Sequence, residues 1–165
     1  GLTDALISIL DEILHDDAVI DPKQPLVVII EQQMNAIMKV LQSVINTYFK
    51  VVAKYNSGMQ MTTKFISPAL KNKFMKNTPG FEQKEVKGTK YAQNKSDSVA
   101  FVHWYCRDVP EVLDVLKQHK KQDDLADAFV QNLAYVASVS QVSPTSLVRP
   151  ASQVLPASLV RPKST

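Results

Sequence analysis

The sequence predicts an α/β fold from three observations. Apolar residues recur at helical spacing through most of the chain, and an unbroken aliphatic run spans Leu26 to Ile30. A second β-prone stretch containing Thr62, Thr63, Phe65 and Ile66 follows one helix later, which is the strand–helix–strand rhythm of an α/β unit. The 165 residues, 45% hydrophobic and 21% charged, fit one globular domain plus a tail.

The first element is an amphipathic helix over 2–15, with Leu2, Ala5, Leu6, Ile9, Leu10, Ile13 and Leu14 on its apolar stripe. His15-Asp16-Asp17 and Asp21-Pro22 end it, and Pro25 turns the chain into the aliphatic run. That run reads as a strand covered on both faces, and it ends on Glu31, Gln32 and Gln33. A carboxylate closing a buried strand has to be ion-paired, hydrogen-bonded or bound to a metal.

Asn35 is a plausible N-cap for a second helix striped by Ile37, Val40, Leu41, Val44, Ile45, Tyr48, Phe49 and Val52. Asn56-Ser57-Gly58 stops it. A second strand over 60–66 and a short helix near 68–76 follow. Residues 77–92 read as a loop or ragged hairpin, and helical spacing returns at 96–107, 110–119 and 123–136. The domain is expected over 1–137. The Ser/Pro-rich remainder, 138–165, carries Ser-Leu-Val-Arg-Pro twice and reads as a disordered tail.

Net charge is +3, mildly basic and permissive of a nucleic-acid partner. The single cysteine, Cys106, excludes an internal disulfide and suits a reducing, intracellular compartment. No apolar run is long enough to span a membrane, so no membrane partner is expected. The chain starts Gly1-Leu2-Thr3 with neither an initiating Met nor a signal pattern, and two strands alone make a poor sheet. A piece of a longer protein is therefore expected.

The second acidic feature lies in Lys120 to Asn132. Asp124 and Asp127 are three residues apart, on one helix face, whereas Asp123 is rotated about 100 degrees from Asp124. Such a pair can simply complement the positive end of the helix dipole. Combined with Glu31, it can also supply hard oxygen ligands for Mg²⁺ or Mn²⁺.

The stretches "VVIIEQQMN" and "KKQDDLADAF" resemble the second and last acidic motifs of RuvC-like Holliday junction resolvases, in the branch found in poxviruses and other large DNA viruses. The resemblance covers about Leu2 to Leu133 and implies an RNase H-like mixed sheet flanked by helices, incomplete at the N-terminus. It implies a homodimeric, Mg²⁺-dependent endonuclease (Mn²⁺ as substitute) that cuts four-way DNA junctions at a viral replication site in host cytoplasm or nucleus. Glu31, Asp124 and Asp127 would be metal ligands, and Lys95, in "YAQNKSDSV", the catalytic lysine. The helix after Glu31 would contribute to the dimer interface.

The family's first metal-binding aspartate, on an upstream strand, has no counterpart here. A non-catalytic DNA-binding or interaction module is therefore the rival reading, and a nuclease for RNA–DNA hybrids a third. Eight lysines against two acids between Lys64 and Lys95 make a basic flank. The candidate DNA contacts are Gln32, Lys71, Lys73, Lys87, Lys90, Lys120 and Lys121. Phe74 and Phe81, and the His103–Cys106 stretch, are expected in the core.

Overall fold

The computed structural model describes residues 1–16, 20–21, 23–55, 59–83 and 88–140. Among them are six helices and a small two-stranded parallel sheet. The chain is mixed α/β, as expected. It divides into two compact units, Gly1–Ser67 and the residues from Pro68 onward.

In the first unit the order is α1 (Leu2–Leu14), β1 (Leu26–Glu31), α2 (Ala36–Tyr55) and β2 (Met61–Ile66). The His15 ring nitrogen Nδ1 lies 2.7 Å from the Asp11 carbonyl and closes the last turn of α1. Lys23 donates its backbone N–H to Asp21 Oδ1 at 2.9 Å, a side-chain-made turn that delivers the chain to Pro25 and β1. Asn35 caps α2 as expected, its Oδ1 accepting from the Ile37 N–H at 2.9 Å.

A helical crossover is what lets two sequential strands run parallel. Leu26 faces Met61 and Glu31 faces Ile66, with Gln32 N–H adding a 2.9 Å bond to the Ile66 carbonyl beyond the last pair. Helix α2 packs on both strands and α1 packs on α2. Thr63 Oγ1 donates to Asn46 Oδ1 at 2.8 Å, pinning β2 to that helix.

The expectation of a strand covered on both faces is corrected. Only Ile30 of β1 is buried, while Val27 is exposed. Each strand has a single strand partner, so much of this sheet is edge. The aliphatic run exceeds the burial that this unit provides.

The second unit is helical: α3 (Ala69–Lys76), α4 (Lys90–Tyr105), α5 (Pro110–Gln118) and α6 (Gln122–Ser140). Helix α6 packs against the other three, α3, α4 and α5. Its buried positions Ala126, Val130 and Ala134 recur every four residues, and they meet Met75, Phe101, Val102, Cys106 and Leu116. Phe101 is the hub of an aromatic cluster, with ring centroids at 5.7 Å from Phe74, 4.9 Å from Phe81 and 5.5 Å from Trp104. The phenylalanines and the Trp104–Cys106 stretch are thus core, as the composition of that helix suggested. Gly80 turns the chain from α3 toward this cluster at φ +82°, where an L side chain would be strained.

Helix α4 starts six residues before the periodicity indicated. Thr89 caps it, accepting the Ala92 N–H at 3.2 Å, and a polar first turn hides the helix from a hydrophobic pattern. Helix α6 also runs past the expected end at Val136 to Ser140. The stop signal Asn56-Ser57-Gly58, Lys87 and the repeat-bearing segment from 141 lie outside the described residues.

Candidate functional site

Each half of the expected acidic constellation belongs to its own unit. Glu31 closes β1, half-buried, on the wall of a 300 Å³ cavity also lined by Leu6, Gln33, Leu41, Gln42 and Ile45. The next turn is held by the Gln33 N–H donating to Gln42 Oε1 at 2.9 Å. Gln32, a candidate DNA contact, is exposed.

In the helical unit the acidic residues occupy the first turns of α6, and each is met by lysine. Lys95, from the second turn of α4, forms an ion pair with Asp123 and donates to Asp124 Oδ1 at 3.3 Å. Its ammonium also lies 5.1 Å from the centre of the Tyr91 ring, a cation–π distance. The hydrogen bond to Asp123, above all, raises the Lys95 pKa, so the ammonium keeps its proton. The same bond lowers the Asp123 carboxyl below the usual carboxylate range. Lys121 reaches Asp124 Oδ2 at 3.7 Å from the preceding turn.

Asp127 is engaged from a third helix. Lys71 of α3 places Nζ 2.7 Å from Asp127 Oδ2, with only 7% of the lysine side chain exposed. The other oxygen, Oδ1, is buried and has no hydrogen-bond partner among the described residues. A phosphate contact by Lys71 would require taking it from Asp127. The candidate contacts Lys73, Lys90, Lys120 and Lys121 are exposed.

Sequence reasoning placed Lys95, Asp124 and Asp127 in one site and passed over Asp123 and Asp97. Asp123 lies about 100 degrees around α6 from Asp124, as expected, yet Lys95 reaches both of them. Asp97 is buried in α4 and accepts from Gln93 Nε2 at 2.8 Å and Gln83 Nε2 at 3.1 Å. Burial raises its carboxyl above the ordinary range. The Gln93–Asp97 spacing of four is a helical pair, legible only once the helix is started at the Thr89 cap.

Asp124 and Asp127 are the side chains of this unit that could join a hard-cation site, and the unpartnered Oδ1 of Asp127 is an oxygen such a cation would satisfy. Among the described residues, however, no group of three or more His, Cys, Asp or Glu is arranged to hold a metal ion. The helix pair is at most part of a ligand set. Among the described residues no helix is long and apolar enough to cross a membrane.

Comparison of the chain with family models, with curated proteins and with solved structures yields no match.

Proposed function

We propose that the chain acts in a Mg²⁺-dependent, structure-selective endonuclease of the RNase H-like, RuvC type that cleaves four-way DNA junctions during viral recombination or replication. The observation that carries this reading is Lys95 on Asp124. Two residues 29 positions apart, singled out by motif alone, meet with their charged ends 3.3 Å from each other. In a phosphodiester hydrolysis, water attacks phosphorus and one P–O bond breaks while negative charge builds on the phosphate oxygens. A fixed ammonium beside that phosphate offsets the charge, which is the role assigned to Lys95.

Glu31, Asp124 and Asp127 would hold the magnesium, or manganese in its place. The ion supplies Lewis-acid stabilisation of the phosphate and a more acidic water. Exposed Lys73, Lys90, Lys120 and Lys121, with Gln32, would grip the DNA backbone, since carboxylates alone repel it. A homodimer would pair two cuts across the junction. Its support is the exposed apolar face of α2, with Ile37 at 69% and Val40 at 63% exposed, beside a groove of 620 Å³ lined by Ile7, Val44, Tyr48 and Val51.

The test is cleavage of a synthetic four-way junction by the complete gene product with Mg²⁺. Glu31→Gln, Asp124→Asn and Asp127→Asn should each lower the rate by about a hundredfold or more while junction binding in Ca²⁺ persists. Undiminished cutting by the Glu31 and Asp124 variants sinks the assignment.

A second reading has its own support. Asp123, Asp124 and Asp127 are all occupied by lysines, which suits a non-catalytic junction-binding or interaction module. It predicts binding without cleavage, in wild type and variants alike.

A further inference from the structure

The endonuclease reading leaves Asp123 without a role, because the motif resemblance assigns the metal to Asp124 and Asp127. In the helical unit it meets Lys95 instead. Three groups from two helices converge on that ammonium: Asp123 in an ion pair, Asp124 Oδ1 at 3.3 Å, and the Tyr91 ring at 5.1 Å. A lysine has four side-chain torsions and samples many rotamers when free, so three simultaneous contacts are what hold it still. The two carboxylates are not equivalent. Asp123 is 30% exposed and Asp124 is 56% exposed, so Asp123 grips from the inner side and Asp124 stands at the rim. The Lys95 side chain, 26% exposed, keeps a solvent-facing portion. An ammonium fixed before substrate arrives needs no reorganisation as charge develops.

We propose that Asp123 is a positioning residue, anchoring Lys95 at the start of α6 so that its ammonium meets a bound phosphodiester from one fixed direction. The inference rests on the endonuclease reading, and Asp123 itself touches no phosphate. Asp123 also sits in the first turn of α6, where any acid complements the helix dipole. That contribution does not depend on Lys95, which lets experiment separate the two.

The experiment compares wild type, Asp123→Asn, Lys95→Met and the double variant, with Asp123→Glu as the conservative control. It uses the complete gene product on a four-way junction with Mg²⁺. Asp123→Asn should lower kcat about tenfold with KM changed less than about twofold, and Asp123→Glu should recover most of the loss. In the Lys95→Met background, Asp123→Asn should cost less than about twofold more. Losses that multiply, or an Asp123→Asn kcat within about twofold of wild type, overturn the proposal. Thermal unfolding of the same four proteins reads the pair without turnover, and additive effects there overturn the anchoring geometry. If wild type fails to cut while the thermal cycle is non-additive, the endonuclease reading has failed. The positioning role falls with it, and the pair is then purely structural.

Discussion

Buried Lys71 and half-buried Asp127 form an ion pair, Nζ to Oδ2 at 2.7 Å, that ties α3 to α6 inside the helical unit. Taking an ammonium out of water is costly, so the pair is worth more as a constraint than as net stabilisation. Removing one member leaves the other charge uncompensated. Lys71→Met should therefore destabilise the protein by on the order of 3 kcal/mol, measured by urea denaturation. Adding Asp127→Asn should return part of that loss. A single variant as stable as wild type would contradict the pair.

The Phe101 ring is fully buried at the centre of the aromatic cluster. Phe101→Ala should cost about 3–5 kcal/mol, since the neighbouring rings cannot all collapse into the space. Phe101→Leu should cost less than half as much by the same denaturation measurement.

Asp97 gives stability a pH dependence of unusual sign for an acid. Burial disfavours its charged form, so the folded protein keeps this proton to a higher pH than the unfolded chain does. Between the ordinary value of 3.8 and the raised folded value, the folded state binds more protons, and this group's contribution falls as pH rises. Asp97→Asn removes that contribution. The stability of the variant relative to wild type should climb with pH from about pH 4 and then level off, in denaturation series across the acid range. A constant difference would refute it.

Cys106 is buried, and burial pushes its thiol up to about 11. The thiolate is the reactive form, so a disulfide reagent at pH 8 should leave the native protein unlabelled. Denaturation should release one equivalent, from the single cysteine of the sequence.

Tyr48 of α2 donates to Asp11 Oδ1 of α1 at 2.5 Å, and burial together with that bond raises its hydroxyl to about 12. Burial raises Tyr105 as well, so ultraviolet titration should show a late-ionising component that includes the Tyr48 hydroxyl. Asp11→Asn should bring that hydroxyl toward the ordinary 10.0.

All eight elements were legible in order, from apolar periods in the helices, an aliphatic run in β1 and β-prone residues in β2. What escaped the sequence had physical reasons. The start of α4 is polar and was signalled by the Thr89 cap rather than by hydrophobicity. Exposure of Val27 in β1 depends on how many layers cover the strand, which residue types do not encode. The spacing of Asp124 and Asp127 put them on one face, but it could not say that Lys95 and Lys71 arrive from different helices. Asp123 was set aside for its angle to Asp124, an argument that left out its place four residues before Asp127 and the arrival of Lys95 from α4.

Helix α6 carries the acids at one end and Ala126, Val130 and Ala134 of the core along its length. Its carboxylates are thus mounted on an element that cannot shift without disturbing the packing of the helical unit. Amides from Ala126 onward, past the first turn whose N–H groups lack helical acceptors, should exchange slowly, opening mainly when the whole unit does. Harm done at Val130, about one turn from Asp127, would then surface first as misplaced charge and only afterwards as unfolding.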